Sequence, residues 1–250
     1  MMIAVLLAIL VLLSLFVGGN KTAKSMVTLG INGVLLTLAI AALFFGVHPL
    51  IVTAATCLGV TFVTVFFQNE INEKSKAALL SVILVTAIMI GLIALFVYQG
   101  HLQGMPVVGQ NEIRPSNGYA ADIGRNMALI QVFVMIMALV GAVIDTAIAI
   151  TSGTYEVVKH NPDLDRKSIM GSAMKIGRDV LSSTVNTLFF IFAGESLILF
   201  INFVNYYSFP AMINAKEFAQ AGIIMAISGV GCVIVIPVAA ALGALRFYKK

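Results

Sequence analysis

The sequence has too little charge to be an ordinary soluble protein. Only 10% of its 250 residues are Asp, Glu, Lys or Arg, against about a quarter in a typical soluble domain. So few charges cannot coat a water-facing surface, and most of the outer surface must therefore face lipid. Cysteine is nearly absent. Cys57 and Cys232 both lie in apolar stretches, which excludes a disulfide framework or a metal-spaced set and leaves small buried hydrophobes. None of the three histidines falls deep in an apolar run, so a serine-type intramembrane protease has no base. An aspartyl one would need two facing carboxylates, and only Asp145 lies deep in a span. There is no glycine-rich phosphate loop, nucleotide motif or metal cluster. No enzymatic activity, cofactor or metal is expected.

Two further absences concern the membrane itself. Tryptophan is missing, and the six tyrosines stand near expected interfaces or in loops, where amphipathic rings are favoured. No basic residue precedes the opening run MMIAVLLAILVLLSLFVGG, whereas Lys21 and Lys24 follow it. That order reads as a first helix retained in the membrane rather than a cleaved signal.

What is present fits this picture. Hydrophobic residues make up 60% of the chain, and they gather into runs long enough to cross a bilayer. The expected fold is all-α: a polytopic transmembrane helix bundle of about seven spans, forming one transmembrane domain over 1–250. The runs fall at about 2–18, 26–46, 49–67, 76–98, 127–152, 180–203 and 219–246. Pro49 opens the third, where a missing N–H costs little. Pro237 lies inside the seventh and predicts a kink, with Gly229 and Gly231 nearby suggesting close packing or flexing.

A net charge of +4 would suit nucleic acid, but the basic residues sit in short loops and are read as topology determinants. With the N-terminus outside and the C-terminus inside, every Lys and Arg except Arg114, Arg125 and Lys216 lies on the cytoplasmic side, twelve of the fifteen. This orientation requires an odd number of spans. The outer loop at about 99–126 is rich in Gly, Pro and Asn and reads as irregular, a lid over the outer face. In the inner loop, Asn161-Pro162 signals a turn. The stretch DLDRKSIMGSAMKIGRD then predicts a short amphipathic segment at about 165–177 along the inner membrane surface, its basic residues toward headgroups.

The residues that could carry chemistry cluster between Gly141 and Glu195. Asp145 stands inside the fifth run, where a carboxylate is expensive and is functional by default. Gly141, Asp145, Ala149, Ser152 and Glu156 recur at steps of four and three, giving one small and polar stripe. The sixth run offers Asp179, Ser183, Asn186 and Phe190 at the same spacing, with Ser182 and Thr187 beside them. Asp145 and Asn186 each lie seven residues from the inner ends of these runs, about 10 Å deep. A cluster of Asp145 with Asn186 and Thr187 is therefore expected. Asp145 could exchange a proton there, or join the Asn, Thr and Ser oxygens in holding Na⁺ or H⁺. The competing reading is that Asp145 only hydrogen-bonds a neighbouring helix. Glu195 is either an outer step of the same path or a carboxylate reaching the interface. Glu156, Arg178 and Asp179 mark the inner mouth, where a topology-setting charge beside a helix-start carboxylate is the simpler account.

The stretches GAVIDTAIAITSGTYEVVKHNP and GSAMKIGRDVLSSTVNTLFFIFAG resemble the YibE/F family of bacterial membrane proteins, over most of the chain. Many members carry an extracytoplasmic domain after an N-terminal helix, and this sequence looks like the shorter YibF type. The resemblance implies a bacterial plasma-membrane location and either a YibE-like membrane partner or a homo-oligomer. Residues 141–195 alone look like the core helix pair of SecD/SecF and RND-type proteins, which implies proton coupling through intramembrane carboxylates. The expected function is a transporter or transporter subunit using such a carboxylate, with a membrane scaffold or assembly subunit as the alternative.

Overall fold

The computed structural model describes residues 2–67, 71–102, 126–206 and 208–248. Every element among them is helical: α1 Met2–Phe44, α2 Pro49–Phe62 with a π-helical continuation Val63–Phe67, α3 Glu73–Gln99, α4 Met127–His160, α5 Arg166–Tyr206, the short α6 Phe209–Ile213 and α7 Lys216–Phe247. Hydrocarbon offers no partner for a backbone N–H or C=O, so apolar runs of this length close their hydrogen bonds internally as helices. Three of the helix starts are capped by short polar side chains. Asn72 accepts from Ser75 N–H at 3.0 Å, Asn126 from Leu129 N–H at 3.2 Å and Asp165 from Ser168 N–H at 3.3 Å, each satisfying an orphan donor. His48 does the same for Leu50 in the turn before α2.

Six of these helices are long and apolar enough to cross a membrane, among the described residues. The expected run at 2–18 falls on a shorter apolar helix, Val5–Asn20, which joins the span Thr22–Phe44 across a break at Gly19. Gly19 has φ 55° and ψ −144°, a combination essentially reserved for glycine. The loop expected as a lid lies, apart from its edges, outside the described residues, as do Arg114, Arg125, Lys249 and Lys250.

The core sits between α3, α4 and α7, where Val85, Met89, Ile93, Met135, Leu139, Val143 and Val235 are almost wholly buried. Close approach of α7 depends on two glycines. A methyl at Gly231 would overlap Leu139 and press on Val143, and one at Gly177 of α5 would overlap Ile236. Helix α7 continues through Pro237 without interruption. The helices α1 and α2 form a flank, joined to α4 through Ala39, Val52 and Phe133. Threonines that would otherwise face hydrocarbon donate to their own backbone, as Thr53 does to Pro49 O and Thr61 to Cys57 O, both at 2.7 Å.

The stretch at 165–177 differs from expectation. It is no separate surface segment but the start of the 41-residue α5. Its apolar stripe, Ile169 and Ala173, is buried, and Ala173 joins Ile150, Ile236, Ala239 and Ala240 in a core cluster with Met170 and Met174 packed on it. Amphipathic periodicity alone cannot distinguish a headgroup surface from a neighbouring helix as the cover of an apolar stripe.

At one end of the bundle the starts of α3 and α5 meet the ends of α4 and α7. Arg246 pairs with Glu73 at 3.1 Å, Lys76 with Glu73 at 2.7 Å, and Lys74 lies 5.9 Å from the centre of the Tyr155 ring. This is the basic end. Gln220 ties the opposite end together by donating to Leu102 O at 2.6 Å.

Gly231→Ala is expected to lower the thermal midpoint in detergent, at a cost of about 1–3 kcal/mol for overpacking. Gly229→Ala, where an added methyl meets nothing within 4 Å, is expected to leave it unchanged or raise it slightly; equal effects of the two would contradict the packing described. At the α5 start, hydrogen bonds from Ser168 hold the Asp165 carboxyl below its ordinary range. A carboxyl whose folded value is depressed stabilises above its unfolded value, and that stabilisation disappears as the pH falls through the folded one. The difference in thermal midpoint between wild type and Asp165→Ala is therefore expected to be full at neutral pH and to shrink below about pH 4.

Candidate functional site

Helix α4 buries one side and leaves the other uncovered. Leu139, Val143, Thr146, Ile150 and Thr154 recur at steps of four and three and are completely buried. Thr146 donates to Ala142 O at 2.9 Å and lies 3.5 Å from Cys232 Sγ on α7. The stripe singled out in the sequence lies round the helix from this face. Gly141, Asp145 and Glu156 are exposed, and Ala149 and Ser152 are half-buried. Asp145 makes no hydrogen bond or ion pair among the described residues, and it stands close enough to the buried Cys232 of α7 for an electrostatic interaction.

Helix α5 repeats the pattern. Its inward positions Ala173 and Gly177 are buried and Thr184 and Leu188 half-buried, whereas Asp179, Ser182, Ser183, Asn186, Thr187 and Phe190 are exposed. Thr187 donates to Ser183 O at 3.0 Å. Gly153 and Ile176 fix the register of the antiparallel pair, since a methyl at Gly153 would stand 3.1 Å from Ile176 Cδ1. Counting from that contact, Asp145 is level with Thr184, and Asn186 lies about 3 Å further along. The expected matching depth is thus present. No hydrogen bond joins Asp145 to Asn186 or Thr187 among the described residues, Thr187 donating to Ser183 O instead.

A cavity of about 490 Å³ opens between α4, α5 and α7, lined by Glu195, Glu217, Gln220 and Ser228 together with Ala138, Phe192 and other apolar side chains. Glu195 is thus the sequence candidate that reaches a concave surface. Glu217, Gln220 and Ser228 were missed. They recur at three and eight residues along one face of α7, a signal visible in KEFAQAGIIMAIS once the helix is taken to begin at Lys216. Ala138 on the cavity wall and Asp145 are two turns apart on nearly one meridian of α4, about 10 Å along the axis. Ser152 follows at the same interval.

At the basic end, Glu156 lies 3.9 Å from Lys159 and 4.0 Å from His160, contacts too long and exposed to hold anything in place. Arg178 and Asp179 are exposed and make no ion pair with each other among the described residues. A second cavity, of about 340 Å³, is lined there by Glu73, Tyr155, Lys159, Arg246 and Phe247, among others. No group of His, Cys, Asp or Glu among the described residues could hold a metal ion.

Long apolar helices, an apolar outer surface and polar groups confined to stripes and helix ends define a multi-pass membrane protein. The chain belongs to the YibE/F-like family, whose model, described as YibE/F-like protein, matches residues 6–249. Neither a curated protein nor a solved structure gives a match.

With Cys57→Ser and Cys232→Ala as background, Glu195→Cys and Glu217→Cys are expected to react with a membrane-impermeant maleimide from one side of sealed vesicles. Lys159→Cys is expected to react from the other. Reaction of all three from one side would overturn the assignment of these residues to opposite ends.

Proposed function

We propose that the chain is a bacterial plasma-membrane transport protein, or the membrane subunit of one, that uses intramembrane carboxylates for proton or cation coupling. The observation that carries this reading is the cavity between α4, α5 and α7, into which two carboxyl side chains, an amide and a buried hydroxyl converge. Pockets with few convergent polar groups on mainly apolar walls are the usual form of small-solute sites. Intramembrane carboxylates are the usual ion and proton carriers. Glu195 and Glu217 would receive the ion. Asp145 and Ser152, spaced about two turns apart along α4, would form the next steps toward Glu156, with Arg178 and Asp179 flanking the far mouth. The positive-inside rule supports the basic end as cytoplasmic, so that the C-terminus lies inside and the cavity opens outward. An N-terminus outside requires Val5–Asn20 to cross as well. The role is non-enzymatic.

In proteoliposomes, an imposed pH or Na⁺ gradient is expected to collapse faster with the wild type than with empty vesicles. Glu195→Gln and Asp145→Asn are each expected to slow this at least tenfold while leaving the thermal midpoint unchanged. Flux equal to the wild type in both variants would refute the coupling role.

A second reading, a scaffold or assembly subunit, is favoured by the exposure of Asp145 and its lack of a hydrogen bond among the described residues. Here Asp145 would hydrogen-bond a YibE-like membrane companion. Loss of that companion on purification of Asp145→Asn, with no flux in either protein, would select it.

A further inference from the structure

The cavity of about 340 Å³ at the basic end has both charged and apolar walls. Glu73, Lys159 and Arg246 line it together with Tyr155, Val158 and Phe247. The charges around it do not balance. Lys76 and Arg246 both fall on Glu73, at 2.7 and 3.1 Å, and Lys159 stands 3.9 Å from Glu156. Lys74 faces the Tyr155 ring, 5.9 Å from its centre. Four cations thus share two carboxylates. Arg246 meets Glu73 through Nη1 alone among the described residues, which leaves most of its five-donor fork for another anion. Beside these cations, Tyr155 and Phe247 meet edge to face with ring centres 5.5 Å apart. The cavity lies where the ends of α4 and α7 meet the start of α3, the level at which lipid headgroups stand.

We propose that this cavity holds the headgroup phosphate of an anionic membrane lipid, with Arg246 and Lys159 on the phosphate and Tyr155, Val158 and Phe247 against the apolar part of the molecule. The excess of cations selects an anion, and the planar guanidinium of Arg246 matches two oxygens of a phosphate. The apolar walls choose the source, since inorganic phosphate has nothing to bury against them, whereas a phospholipid carries its acyl chains directly below the phosphate. Basic pockets between the ends of spanning helices are a usual form of headgroup site. A zwitterionic headgroup is disfavoured, because its own ammonium would meet Lys74, Lys76 and Lys159. Glu73 acts here as a competitor, holding one nitrogen of Arg246 that the phosphate would otherwise take. This cavity is not the one that carries the transport reading, and bound lipid rather than flux tests it.

The delipidated full chain in neutral detergent can be titrated with dioleoylphosphatidylglycerol or dioleoylphosphatidylcholine, and the bound lipid counted by native mass spectrometry. The anionic lipid is expected to bind roughly tenfold more tightly, the scale of one hydrogen bond to a charged group. Arg246→Gln and Lys159→Gln should each lower that ratio about fivefold, the scale of one basic side chain at an anionic lipid. Glu73→Gln should raise it, because the competing carboxylate is gone. Lys175→Gln, which removes a cation exposed on α5 outside the cavity, should leave it within about twofold. Both lipids are measured on every variant, so a general loss of stability lowers both and leaves the ratio unchanged. Inorganic phosphate at the same concentration should not displace the anionic lipid. Equal binding of the two lipids, a fall of the ratio in Glu73→Gln, an effect of Lys175→Gln equal to that of Arg246→Gln, or displacement by inorganic phosphate would each overturn the proposal.

Discussion

Hydrocarbon supplies no hydrogen bonds, and the fate of each polar group in this bundle follows from that. Backbone groups are closed within long helices. The hydroxyls of Thr53, Thr61, Thr151 and Thr154 are turned back on the preceding turn. Asn32 spends its amide on Thr64 at 2.9 Å, although its carbonyl oxygen is buried without a partner. Charged groups gather at helix ends, as around Glu73. Asp145 and Asn186 belong to none of these solutions, which is why they, rather than the better-paired charges, draw the functional argument.

Packing sets where a concave surface can exist. Gly177 and Gly231 let α7 pack closely on α5, through Ile236, and on α4, through Leu139 and Val143. Near the start of α7, aromatic rings fill the space between α5 and α7. Phe218 of α7 stands 5.4 Å from Phe192 and 5.2 Å from Phe200 of α5. The carboxylate-lined cavity lies beside these rings, with Phe192 in its wall.

Much of this was legible in the sequence. Apolar run length revealed the helices from Thr22 onward, because length and composition are what a bilayer selects. The depth match of Asp145 and Asn186 followed from residue counting, which an antiparallel pair preserves. Direction round a helix was harder to read. The stripes were recognised, but whether a small and polar stripe faces a neighbour in the same chain depends on where the other helices pack. The segment at 165–177 was misplaced for the same reason, its apolar stripe being covered by protein. Glu217 escaped because an apolar count starts the last helix three residues late, and without it the polar face it shares with Gln220 was not apparent.

Gly19 has a consequence beyond the bend it makes. An unbroken α1 of 43 residues would be a rod of about 65 Å, roughly twice the hydrocarbon thickness. A side chain at that position would oppose the positive φ and favour the straight form. One missing β-carbon thus lets a helical stretch too long for a single crossing change direction partway along.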